Sequence, residues 1–169
     1  KTLEEPINGI LILTTSRKDR LLSTIKSRCQ EIPFKRLSAT NMKREFLDIQ
    51  SEPNILKYNQ ELLNLSNGSP ESLKENIKLL QKIPINVLIL TEKIPTTHLE
   101  ALTLAKNIAE ELSNEEQLWF INFLQEYLWG KNKCLFTTNR FEKLRKHLLK
   151  SVQPRIAWEV TLIELMEFN

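Results

Sequence analysis

Apolar residues come first as a block and then as stripes. Ile10-Leu11-Ile12-Leu13 follows Gly9 and is closed by two hydroxyls, Thr14 and Thr15. A continuous apolar run of this length predicts a strand buried on both faces of a parallel sheet. A polar stretch leads to a short helix around Thr24-Ile25-Lys26, and then to a second β-prone segment, Glu31-Ile32-Pro33-Phe34. From residue 37 the period becomes helical. Met42, Phe46 and Ile49 fall at i, i+4, i+7, and this helix should stop near Ser51, because Pro53 disfavours helix at the residue before it. Ile55, Tyr58, Leu62 and Leu65 make the face of a second helix, with Gly68 suited to a left-handed cap. Ser69, Pro70 and Glu71 read as N-cap, first helical position and first-turn acid of a third, whose stripe is Leu73, Ile77 and Leu80.

The pattern then predicts a larger helical bundle. Pro84 opens a helix through Leu88 and Leu90 that ends before Pro95, and Thr97 caps the next, which aligns Ala101, Ala105, Ile108 and Leu112. Ser113 and Glu116 have the spacing of a capping box. Behind them Phe120, Phe123 and Tyr127 share one face, and Leu118, Ile121, Leu124 and Leu128 the adjoining one. Residues 130–139 read as a polar loop. Phe141, Leu144, Leu148 and Val152 mark the following helix, and Pro154 opens the last. In that last helix Ile156, Ala157, Val160, Ile163 and Met166 run together with Leu162 and Leu165. So wide a stripe needs neighbours on several sides, in its own bundle, in another subunit, or in both. Trp119 and Trp158 read as core residues, and Trp129, beside the polar loop, as partly exposed.

Composition narrows the class. The chain has 169 residues, 41% hydrophobic and 27% charged, with only three Gly, which favours a mainly α globular protein. A net charge of +3 is too small to argue for nucleic-acid binding by itself. Cys29 and Cys134 form no metal-ligand spacing and no disulfide framework, as expected of a reducing cytoplasm. No apolar run approaches a membrane span. With an opening on Lys1, in what reads as the end of a helix, the chain is expected to be part of a longer protein. His98 and His147 lack partners at metal-ligand spacing and read as surface or cap-region residues. Lys143, Lys146, His147 and Lys150 form one polar, mostly basic helix face, read first as solvated and second as a DNA or partner contact. No nucleophile–base set or carboxylate pair stands out.

The densest basic cluster, Arg17, Lys18, Arg20, Lys26 and Arg28, lies between the two β-prone segments. A surface Arg paired with a carboxylate is the plain reading of Arg28. The residues around it carry a resemblance. Leu13-Thr14-Thr15 followed by Thr24-Ile25-Lys26-Ser27-Arg28-Cys29-Gln30 resembles the clamp-loader branch of the AAA+ ATPases, and Lys1-Thr2-Leu3-Glu4-Glu5-Pro6 resembles the phrase that precedes it there. The resemblance implies that Ser27, Arg28 and Cys29 are the Ser-Arg-Cys motif. Its Arg is a finger acting on ATP and magnesium held by the neighbouring subunit. Thr14 and Thr15 fall at the sensor-1 strand end.

It also implies three segments: residues 1–36 as the end of an α/β domain, 37–83 as a three-helix lid, and 84–169 as a helical collar for oligomerisation. Lys35 and Arg36 sit at the join to the lid. No G-x-x-x-x-G-K-[ST] loop occurs in the chain, so it should hold no nucleotide of its own. In the family's motor subunits an Arg follows the Gly-Ser phrase that here reads Gly68-Ser69-Pro70-Glu71. Glu71 stands at the corresponding position, where a carboxylate would repel a triphosphate. The chain therefore resembles the non-motor member of a bacterial DNA polymerase III clamp loader, not itself an enzyme. The implied partners are the gamma/tau and delta subunits through the collar, with the sliding clamp and primed DNA reached indirectly. The alternatives are a gamma/tau ATPase motor subunit and, without the resemblance, an all-α interaction module. The strand–helix–strand order around Arg28 speaks against the module.

Overall fold

The computed structural model describes residues 9–49, 53–150 and 152–166. Backbone contacts divide the chain into two compact units, Lys1–Lys35 and Arg36–Asn169. The phrase at residues 1–6 lies outside the described residues.

Among the described residues the fold is helical throughout, in agreement with the mainly α expectation. The first unit holds a 3-10 turn, Lys18–Arg20, and one turn of helix, α1 (Ser23–Lys26). Neither expected strand forms: residues 10–15 and 30–35 belong to no ladder. A strand exists only by pairing, and a parallel strand needs a neighbour brought alongside by a crossover. None of the described segments offers one. Ile10 and Phe34 are 93% and 94% exposed instead.

The second unit runs α2 (Ala39–Ile49), α3 (Pro53–Leu56), α4 (Asn59–Ser66), α5 (Pro70–Lys82), α6 (Ile85–Leu88), a 3-10 turn (Ile89–Thr91), α7 (His98–Glu111), α8 (Asn114–Asn132), α9 (Leu135–Leu149) and α10 (Pro154–Met166). Met42 and Phe46 are buried on α2, and the side chain of Ile49 lies outside the described set. The expected second helix is two pieces. Tyr58 leaves helical geometry, its N–H bonding the Ile55 carbonyl at 3.0 Å, and its phenol meets Thr91 Oγ1 at 3.0 Å. The expected α5 start is present: Ser69 Oγ accepts from the Ser72 N–H behind Pro70.

Gly68 is required twice over. Its φ is +78°, and a Cβ there would lie 2.7 Å from Arg36 Cβ and 2.9 Å from the Leu37 carbonyl oxygen. The Leu37 N–H bonds the Gly68 carbonyl at 2.9 Å, and the Arg36 guanidinium donates to Asn67 Oδ1, so this turn fastens the start of the unit.

The larger helices start where their caps predict. Thr97 caps α7, Ser113 and Glu116 form the reciprocal capping box of α8, and α10 begins at Pro154. The expected loop at 130–139 is not there. α8 continues through Gly130 to Asn132, and α9 starts at Leu135. Gly130 is an ordinary helical residue with open space around its Cα. The stop comes at Lys133, in left-handed geometry at φ +47°, a residue type that gives no such signal. Val152 falls beyond the end of α9 and is exposed.

One core runs from Met42 to Leu165 and joins the helices on both sides of Pro84. Its axis is α8, where Phe120, Ile121, Phe123 and Leu124 are fully buried. The apolar residues of α8 cover much of its circumference, with Asn122, Gln125 and Glu126 on the remaining side, and so wide a stripe needs neighbours on several sides. α8 packs on α4 and α9, and α10 packs on α7 and α9. Tyr58 meets Phe123 edge-on at 5.3 Å, Trp119 stacks on Phe123 at 5.4 Å, and Phe120 lies 6.3 Å from Trp158.

Candidate functional site

In the first unit, the turn that leaves α1 carries the motif residues. The Ser27 N–H bonds the Ser23 carbonyl at 2.9 Å, and the Arg28 N–H bonds the Ile25 carbonyl at 3.1 Å. Ser27 Oγ donates to the Thr24 carbonyl at 3.2 Å, a local bond that ends the helix and occupies the hydroxyl. Ser27 and Arg28 are exposed, and Cys29 is half-buried with a free thiol. Arg17 and Lys18, which precede α1, are exposed, and Lys18 pairs with Glu31. Thr14 and Thr15 are exposed, and Thr15 Oγ1 accepts from the Arg17 N–H at 3.1 Å. This unit presents a cation at the end of a single helical turn, with a hydroxyl and a thiol on either side.

In the second unit Glu71 is exposed in the first turn of α5, where its charge complements the helix N-terminus. His98 and His147 are exposed. Among the described residues no group of three His, Cys, Asp or Glu could hold a metal ion. No described helix is long and apolar enough to cross a membrane.

The stripe on α10 divides into two faces. Ala157, Trp158, Thr161, Leu162 and Leu165 turn inwards. Ile156 and Val160 are 49% and 48% exposed, and Leu99 and Leu102 are exposed on α7, the helix α10 packs against. Trp129, on α8, is 41% exposed, as its place in the sequence predicted.

Two groups of polar side chains hold these helices, and periodicity could not reveal them. Gln117 is buried on α8. It donates to the Leu112 carbonyl at 2.9 Å and accepts from the Trp158 indole N–H at 3.0 Å, joining α7, α8 and α10. Asn76 on α5 accepts from the Trp119 indole at 2.8 Å and donates to Ser66 Oγ at 3.1 Å, which in turn donates to the Leu62 carbonyl at 2.6 Å. The only sequence signal for either is a polar residue inside an apolar stripe. Hydrogen bonds from the Ser113 backbone and hydroxyl, followed by Lys82, hold the Glu116 carboxyl below the usual carboxylate range. Backbone and side-chain hydrogen bonds from Thr137 hold the Cys134 thiol below its usual range.

Comparison with known proteins adds two matches in chain order. Residues 40–165 match the family described as cyanobacterial DNA polymerase III delta prime, C-terminal domain. Residues 1–38 match the family described as DNA polymerase III, delta subunit. No curated protein and no solved structure matches the chain.

Proposed function

The chain belongs to the DNA polymerase III delta prime C-terminal domain family, and from that premise we propose that it works as the delta-prime-type subunit of a clamp loader. The observation that carries this reading is the tandem pair of matches: a polymerase III segment that contains Ser27, Arg28 and Cys29, followed directly by the delta prime C-terminal domain. In this reading Arg28 is an arginine finger. It reaches ATP and magnesium on the neighbouring subunit and stabilises the charge that develops on the transferred phosphoryl group. A guanidinium suits this task because it is always charged and presents a planar fork of donors. Thr14 and Thr15 take the sensor-1 position in this reading. On the same reading the subunit is not an ATPase, and the support for that is Glu71, at the position where the motor subunits carry Arg.

The exposed apolar residues of the first unit, Ile10, Ile12 and Phe34, are then covered by further strands of the α/β domain. Residues 37–83 act as the lid and 84–169 as the collar, which joins the gamma/tau and delta subunits into a cytoplasmic ring that loads the sliding clamp on primed DNA. The outward residues Ile156 and Val160, with Leu99 and Leu102 on the neighbouring helix, supply the apolar surface such an interface needs. The test is co-expression with gamma/tau and delta followed by size-exclusion chromatography. The chain should co-elute in one complex, and Ile156→Lys with Val160→Lys should release it while helical circular dichroism is kept. Failure of the wild-type chain to enter the complex would overturn the reading.

A further inference from the structure

The charge of this chain is unevenly distributed. Residues 131–155 contain eight Lys or Arg and a single acid, Glu142, whereas the rest of the chain holds 16 basic and 20 acidic residues. A domain that is slightly acidic elsewhere thus concentrates its positive charge on α9 and its flanks. Several of these cations are already engaged. Arg140 pairs with Glu164 at 2.8 Å, Arg145 donates to Gln125 at 2.6 Å, Arg155 pairs with Glu159 at 2.8 Å, and Lys131 lies 4.5 Å over the Tyr127 ring. Lys143, Lys146 and Lys150 are exposed, and none of them is in an ion pair with a described residue. Lys143 and Lys146 lie on α9 and Lys150 is its C-cap residue; with the helix continued at 100° per residue the three fall within about 60° of one another and span about 10 Å along the axis.

We propose that this lysine face of α9 holds the phosphate backbone of duplex DNA, a contact beyond the assembly and arginine-finger roles assigned above. A strand of duplex DNA presents a charge about every 3.4 Å of its axis, so about three phosphates fit the length of the face. Complementing the helix dipole explains basic residues in the last turn of α9. It does not explain Lys143, one turn earlier, and α7 ends with no basic residue in its last turn. A membrane surface fits less well. A basic amphipathic helix binds lipid through its apolar face, and on α9 that face, Phe141, Leu144 and Leu148, is buried in the core. Base-specific reading is not implied: Phe136, which lines a groove with Lys143 and Lys146, has the Arg140 guanidinium over its ring at 4.7 Å.

The test is fluorescence anisotropy of the chain with a labelled duplex of about 20 base pairs at roughly 50 and 200 mM salt. Three phosphate contacts predict a slope near −2.7, so wild-type affinity should fall roughly 40-fold across that range. The variant Lys143→Glu, Lys146→Glu, Lys150→Glu should bind at least about tenfold more weakly at low salt and lose most of the salt dependence. The milder Lys→Gln triple should move in the same direction. A control with the same charge change elsewhere, Lys74→Glu, Lys78→Glu, Lys93→Glu, should bind as wild type. The proposal is overturned by an equal loss in both Glu variants, which would mark an effect of net charge alone. It is overturned equally by absence of wild-type binding, or by tighter wild-type binding to anionic phospholipid vesicles than to the duplex.

Discussion

Gln117→Leu keeps roughly the side-chain volume and removes both hydrogen bonds of Gln117, one to the end of α7 and one to α10. Two groups lose their partners: the Leu112 carbonyl, at the end of α7, and the Trp158 indole N–H, whose ring is fully buried. A buried polar group left unsatisfied costs about 1–3 kcal/mol, so the two together should cost about 2–6 kcal/mol. In a domain of this size each kcal/mol lowers Tm by about 2–4 °C. Urea denaturation followed by circular dichroism measures the loss directly. Combining Gln117→Leu with Trp158→Phe removes the stranded N–H as well. The double variant should therefore be more stable than the sum of the two single losses predicts, by about 1 kcal/mol or more. A loss below about 0.5 kcal/mol for Gln117→Leu, or strict additivity in the cycle, would refute the role given to this residue. It would also weaken the orientation of α10 that leaves Ile156 and Val160 outward.

Gly68→Ala should destabilise by about 1–2 kcal/mol from its left-handed φ alone, and by more because the methyl meets backbone at Leu37; chemical denaturation checks it. Glu116→Gln tests the capping box through pH. The carboxyl is held below its unfolded value, so its charge stabilises the fold above the ordinary carboxylate range, and that contribution is lost as pH falls through the lowered pKa. The variant should be less stable than wild type near neutrality and equally stable in acid. A gap that persists unchanged in acid would contradict this.

Much of the second unit was legible because its signals are local. Ser69-Pro70, Thr97, Ser113 with Glu116, and Pro154 each start the helix they predict, since a cap needs only residues within one turn. The buried stripes followed from the 3.6-residue period. What escaped depends on distant partners. Gly130 looked like a breaker, yet it sits inside α8 as an ordinary helical residue, and the helix stops only at Lys133. Tyr58 interrupts its helix and carries its phenol to Thr91, 33 residues on. The run Ile10–Leu13 has the composition of a strand, but no described segment pairs with it. Asn76 and Gln117 sit in apolar stripes as polar residues, and only the fold reveals the indoles they meet. The resemblance around Arg28 was legible from residue order alone, because it rests on a short run of neighbouring residues.

The most direct test of the proposed arginine-finger role is Arg28→Ala and Arg28→Lys in a reconstituted clamp loader, with DNA-stimulated ATP hydrolysis and clamp loading both measured. Each variant should fold and enter the complex. Hydrolysis at the one site that Arg28 faces should fall steeply, since such fingers contribute roughly three to five orders of magnitude in rate. Total ATPase should fall only by that site's share, clamp loading should fall further, and Lys should not rescue, because it lacks the planar fork. Wild-type ATPase and clamp loading by a complex shown to contain either variant would contradict the arginine-finger assignment and leave Arg28 an ordinary surface cation.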